Sequence, residues 1–147
     1  MIVGEIKCAD DMAFLASESV KQVRVNKQYR DLISAILMAN HIADWHYIKD
    51  LGLGEKGFGK QEREKMKQAY PEWDILRKLA NGTKHCKLQA SKKELKWEDF
   101  DFWNSPGHVG EDWLDWFVDF DDRPRSVIVL IESFLKKFSD KSSRPAK

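Results

Sequence analysis

The sequence predicts a mainly α, α+β fold: a four-to-five-helix bundle carrying a small antiparallel β-hairpin or sheet near residues 88–121. Three observations carry that expectation. Apolar residues recur every three to four positions over about residues 10–86 and again over 126–138. After Lys87 the period changes to two. The length, 147 residues, suits one domain. The whole chain is therefore read as a single unit, with the strands as an insertion before the last helix.

The first helix is expected to start at Asp10 or Asp11, whose carboxylates can accept from free backbone N–H groups. It runs to about Val23, with Met12, Leu15, Ala16 and Val23 on one side. A second, longer helix is expected over residues 26–50, with Tyr29, Leu32, Ile33, Ile36, Leu37, Ala43, Tyr47 and Ile48 at helical spacing. Residues 51–59 (LGLGEKGFG) hold four of the eight glycines, too many to continue a helix, and they match no phosphate-loop spacing. A charged helix is expected over 60–69. Pro71 then suits the first turn of another, running from about Glu72 to Asn81 or beyond.

Residues 97–103 (WEDFDFW) and 113–120 (WLDWFVDF) alternate apolar and polar positions and read as strands. Pro106, Gly107 and Gly110 between them predict an antiparallel hairpin with a long loop. Asp121-Asp122-Arg123-Pro124 reads as a second turn. A final helix covers about residues 126–138, with Val127, Leu130, Ile131, Phe134, Leu135 and Phe138 along one stripe. The basic tail, 139–147, is expected to fray.

Composition removes several function classes. Lys+Arg is 25 and Asp+Glu is 24, too balanced for a nucleic-acid coat protein, though a local basic patch remains compatible. The charge is laid down in blocks. Residues 49–96 carry 13 Lys/Arg against 7 Asp/Glu, and 97–122 carry 9 acids with no Lys or Arg. Residues 123–147 carry 7 bases against 2 acids. The acidic, Trp-rich hairpin is thus expected to lie against basic helix surface or to receive a protein partner. No apolar run is long enough to span a bilayer, so no membrane is expected. The first residues lack a basic region followed by an apolar stretch, and Cys8 and Cys86 form no disulfide or zinc pattern. These features predict free thiols and a cytoplasmic location.

Two groups of polar residues stand out. At about 100° per residue, Asn40 and Asp44 fall within the stripe set by Tyr29, Ile33, Ile36 and Tyr47. A carboxylate there needs a partner. Asp44 is therefore expected to be buried and bonded to residues 77–85, with Asn40 and His41 beside it as orienting groups. The alternative is a core hydrogen bond that only fixes helix register. The second group is Arg77, Asn81, Lys84 and His85. A helix continued through Asn81-Gly82 brings them within about 100° of one another; a helix ended there would use Gly82 as its cap. Arg offers a fork of donors, Lys a point charge, and His a proton-transfer group near neutral pH. Such a set suits an anionic oxygen and phosphodiester cleavage.

A long helix bearing N-H-x-x-D-W (Asn40, His41, Asp44, Trp45), followed by a helix ending L-A-N-G-T-K-H (Leu79 to His85), resembles prokaryotic proteins with DW…LANxxKH patterns. More distantly it resembles the HEPN helical-bundle superfamily. The resemblance covers roughly residues 26–86. It implies a compact helical bundle, a dimer, and an RNA-associated or defence-related protein. Many HEPN proteins are metal-independent ribonucleases, whose motif is Arg, four to six residues, then His. Seven residues separate Arg77 from His85, one beyond that range. In a ribonuclease of this kind His85 and Arg77 are the catalytic pair, with Lys84 and Asn81 on the RNA phosphate and no metal or other cofactor.

Two other readings compete. One is a non-catalytic helical binding or assembly module, suggested by the Trp-rich hairpin and the charge blocks. The other is a metal-dependent bundle using His41, Asp44, His46 and His85, disfavoured because His46 projects away from Asp44 on a helix and no zinc spacing occurs. No serine or cysteine nucleophile signature is present.

Overall fold

The computed structural model describes residues 5–54, 56–84, 91–94, 114–120 and 122–146. They form five α-helices, α1 (Ala9–Asn26), α2 (Tyr29–Asp44), α3 (Lys60–Ala69), α4 (Pro71–Lys84) and α5 (Val127–Ser139), with three strands, β1 (Ser91–Glu94), β2 (Leu114–Phe120) and β3 (Arg123–Ser126). The expected mainly α fold with a small antiparallel sheet is what the chain adopts.

α1 begins one residue earlier than the aspartates suggested. Cys8 is the N-cap, and the Asp11 carboxylate reaches back to accept from the backbone N–H groups of Lys7 (2.8 Å) and Cys8 (3.3 Å). Those bonds, the Lys7 one foremost, hold the Asp11 carboxyl below its ordinary value. A second carboxylate, Asp50, accepts from Ala9 N–H at 3.3 Å. α1 ends in the left-handed region at Lys27 (φ 55°), whose N–H donates to the Val23 carbonyl. That tight connection folds α2 back along α1.

α2 stops at Asp44 rather than running unchanged to residue 50. Trp45–Asp50 is one π-helical turn, closed by the Leu51 N–H donating to the His46 carbonyl at 2.9 Å. Adjacent His46 and Tyr47 are both buried there. His46 packs edge-on against Phe138, while Tyr47 stacks on Phe58. The wider turn lets two neighbouring aromatic rings enter the core in different directions. Burial, helped by the nearby Glu62 and Tyr70, pushes the Tyr47 phenol up to about 12.

The glycine-rich connection follows, with Gly52 and Gly54 at positive φ (67° and 71°), where other residues would be strained. α3 occupies residues 60–69 as expected, capped by Glu62, which accepts from Gly59 N–H at 2.9 Å. α4 carries Pro71 at its first position and continues without a break through Asn81-Gly82 to Lys84. Gly82 is thus interior to the helix rather than its cap, and it is buried.

The core lies between α1, α2, α4 and α5. Its largest closed side chains include Trp73, Tyr47, Tyr70, Phe134, Phe138, Leu32, Ile36 and Ile131. Ser126 caps α5 by accepting from Val129 N–H at 3.2 Å.

The expected small antiparallel sheet is present and has a third strand. β2 pairs antiparallel with β1 on one side and β3 on the other, giving the order β1-β2-β3. The expected strand over 97–103 and the loop over 104–112 lie outside the described residues. The turn after β2 is tighter than expected: Phe120 pairs with Arg123, so only residues 121–122 remain between the strands, and Asp122 takes a positive φ of 59°. Arg123-Pro124-Arg125 therefore joins the sheet. Pro124, which lacks an N–H, sits on a strand with a single described neighbour, as expected for proline in a sheet. In register, β2 is thus flanked by residues 91–94 on one side and by Arg123 to Ser126 on the other.

The tail does not fray. Lys141–Ser143 forms a 3-10 turn. The Arg144 guanidinium then lies 3.8 Å over the Phe138 ring and donates to the Phe138 carbonyl (2.8 Å) and to Asp10 (2.6 Å). The next residue, Pro145, offers its carbonyl to His46 Nε2 at 2.8 Å. Two of the three partner residues, Asp10 on α1 and His46 in the π-helical turn, are too far from the tail in sequence to foretell this docking.

Candidate site along the α2–α4 seam

α2 and α4 pack directly against each other. A polar bond crosses the seam: the Trp73 indole Nε1–H of α4 donates to the backbone carbonyl of Asn40 on α2 at 3.2 Å. Trp73 is closed to solvent, while Asn40 is half-buried. The N-H-x-x-D-W helix and the L-A-N-G-T-K-H helix are thereby joined at Asn40.

Asp44 is not where the helical projection put it. It is only half-buried, and its partner is His41 on the same helix, Nδ1 to Oδ2 at 3.2 Å. The reason lies in the alanines. The buried residues of α2 are Leu32, Ala35, Ile36, Ala39, Ile42 and Ala43. Ala35, Ala39 and Ala43 centre the buried stripe, and Asn40 and Asp44 fall about 40° and 80° past its edge at Ile36. A stripe defined by large apolar residues alone was rotated toward them.

The Asp44 hydrogen bond raises the His41 imidazole above its ordinary value, against a smaller opposing effect of desolvation. A raised folded-state value means the pair stabilises the fold fully below the unfolded histidine value, about 6.5. That contribution is lost as pH rises through the folded-state value. Both groups are well exposed, so it is worth only a few tenths of a kcal/mol. Asp44→Asn is expected to move the His41 midpoint downward in an NMR titration of the ring protons. An unmoved midpoint would show that the pair does not form.

On α4, Arg77 is held by Asp74. Its Nε and Nη2 donate to Oδ1 at 3.1 and 2.8 Å, and Lys78 Nζ lies 3.2 Å from Oδ2. Burial alone would raise the Asp74 carboxyl, but the bonds from Arg77 and Lys78 outweigh it and keep it below its ordinary value. The guanidinium also lies 6.0 Å from the Trp73 ring centroid. This i, i+3 and i, i+4 arrangement was readable from the spacing of Asp74, Arg77 and Lys78. Asn81 is exposed one turn beyond Arg77. Lys84 ends the helix; its side chain, and all of His85, lie outside the described residues.

The sequence-derived residues thus separate into two sets. Arg77 and Asn81 share one continuous helix that reaches Lys84. His41 and Asp44 form their own dyad near the level of Trp73. From Trp73 to Lys84 α4 rises about 16 Å, so Asp44 does not orient the end of α4. His46 serves neither set, since it is buried and turned to Pro145. No protein-family model, curated protein or solved structure matches the chain.

Two concavities border these helices. An open groove of about 600 Å³ lies between α3, the start of α4 and the end of β2, where Lys67, Asp74, Asp119 and Phe120 meet. A smaller one, about 210 Å³, runs along Asp44, Trp45, Ile48 and Lys49. No helix among the described residues is long and apolar enough to cross a membrane.

Proposed function

We propose that this chain is a HEPN-like, RNA-associated protein with a metal-independent ribonuclease site at the end of α4, working in the cytoplasm as a dimer. The observation that supports the reading best is the unbroken run of α4 through Asn81-Gly82, which keeps Arg77, Asn81 and Lys84 on one continuous helix. In the proposed reaction His85 takes the proton from a ribose 2′-hydroxyl. The freed oxygen attacks the adjacent phosphorus, and the bond to the 5′-oxygen breaks. The proton ends on that leaving oxygen, giving a 2′,3′-cyclic phosphate and a 5′-hydroxyl. Arg77 and Lys84 offset the charge that develops on phosphorus, and Asn81 orients it. DNA lacks the 2′ nucleophile and is not cut.

A second reading, a non-catalytic binding module, is favoured by one observation: Arg77 and Lys78 are both already paired with Asp74. Incubating the purified chain with single-stranded RNA in EDTA separates the two. The ribonuclease reading expects cleavage, reduced about 100-fold or more in folded His85→Ala and Arg77→Ala variants. Cleavage that survives His85→Ala would overturn the site, and no cleavage by the parent would favour the binding module.

A further inference from the structure

We propose that the concavity along Trp45, Ile48 and Lys49 is an outer subsite for single-stranded RNA, where one base stacks on the Trp45 indole and Lys49 meets a neighbouring phosphate. This rests on the RNA reading above and extends it to a part of the molecule about one α4 length from the proposed cleavage end. The π-helical turn sets this surface. Because His46 and Tyr47 both turn inward, Trp45 and Ile48 remain half-buried on the outer side. Together with Asp44 and Lys49 they line about 210 Å³ of space. Trp45 lines that space while packing against the core, and an indole there suits the flat face of a base, which stacks with little regard to sequence.

The charges fit the same occupant. The acids around this surface are engaged: Asp44 with His41, Asp50 with the Ala9 N–H, and Asp74 with Arg77 and Lys78. Lys49 is exposed and has no ion-pair partner among the described residues. The subsite is tied to the seam beneath it: Asp44 is one turn from Asn40, whose carbonyl accepts from the buried Trp73, and the Arg77 guanidinium lies 6.0 Å from the Trp73 ring. α4 then rises about 16 Å from Trp73 to Lys84, the length of about five stacked nucleotides. A strand that engages both ends must therefore be longer than about five nucleotides.

That length requirement gives the test. Fluorescein-labelled, 2′-O-methyl oligouridylates of three and ten nucleotides bind without being cut, and anisotropy on the full chain reads their affinity. The decamer is expected to bind at least about tenfold tighter than the trimer. Trp45→Ala and Lys49→Ala should weaken the decamer about fivefold or more and leave the trimer unchanged, with Trp45→Phe restoring most of the loss. Lys49→Ala should also reduce the salt slope of decamer binding by about 0.7. Lys49→Glu, at an exposed position, keeps the test valid should Trp45→Ala misfold. Decamer affinity unchanged in Lys49→Glu, or in a folded Trp45→Ala, would overturn the subsite and leave the RNA reading standing. A parent chain that binds neither oligonucleotide would overturn both.

Discussion

Trp73→Ala is expected to lower stability by about 3–5 kcal/mol, the range for removing a large aromatic from a closed core. Trp73 is 1% exposed, its ring meets Phe58 edge-on at 6.3 Å, and its Nε1–H is the polar bond from α4 to the Asn40 carbonyl. Truncation leaves a cavity at the junction of α2, α4 and the glycine-rich connection, and it removes the hydrogen bond at the same time. The Arg77 guanidinium also loses the ring beneath it. In a domain of this size the midpoint should fall by about 10 °C or more. Trp73→Phe keeps most of the volume and loses the indole N–H, so it should lower stability by about 1–2 kcal/mol. Urea unfolding with an unchanged slope measures both. A Trp73→Ala loss below about 1 kcal/mol would mean that the seam is not closed around this ring.

The helices were legible because their signal is local. Pro71, the glycine-rich connection and the three-to-four spacing mark α3, α4 and α5 within a residue or two of where they lie. What could not be read was how each stripe is rotated against its neighbours. In α2 the deciding residues are Ala35, Ala39 and Ala43, whose small side chains let another helix approach closely. Alanine carries little weight in an apolar pattern, so Asp44 was drawn inward and assigned the wrong partner. The π-helical turn was equally hidden, since widening one turn to bury His46 and Tyr47 together depends on Phe58 and Phe138 from elsewhere in the chain.

The sheet shows the same division. Alternation in 114–120 was enough to place β2, but pairing is a long-range choice. Ser91-Lys92-Lys93-Glu94 has no apolar alternation to announce β1, and Arg123-Pro124-Arg125 reads as a turn until Phe120 is found opposite Arg123. Of the candidate site, the continuity of α4 was left open by Asn81-Gly82, two poor helix formers. The helix nonetheless runs through both residues, and Gly82 is buried within it.

Arg144→Ala is expected to release the C-terminal segment and lower stability by about 2–3 kcal/mol. The side chain is 9% exposed, and it serves three partners at once: the Phe138 ring, the Phe138 carbonyl and the Asp10 carboxylate. A desolvated cation over an aromatic ring is worth about 2 kcal/mol, and a hydrogen bond involving a charged group about 1.5–3, before the entropy of ordering the tail is subtracted. Asp10 is nearly half exposed, so Asp10→Asn should lower stability by much less, about 0.5 kcal/mol. Arg144→Lys keeps the charge and loses the planar fork that serves ring, carbonyl and carboxylate together, so it should recover less than half of the loss. The effect should also travel. Once Arg144 lets go, Pro145 no longer holds its carbonyl against His46 Nε2, and the buried imidazole loses its one hydrogen-bond partner among the described residues. Amide exchange should therefore quicken at the start of α1 and across Trp45–Asp50, while α3, which carries none of these three partners, keeps its protection. Equal protection of both regions in Arg144→Ala and the parent would show that the tail lies on the bundle without holding it.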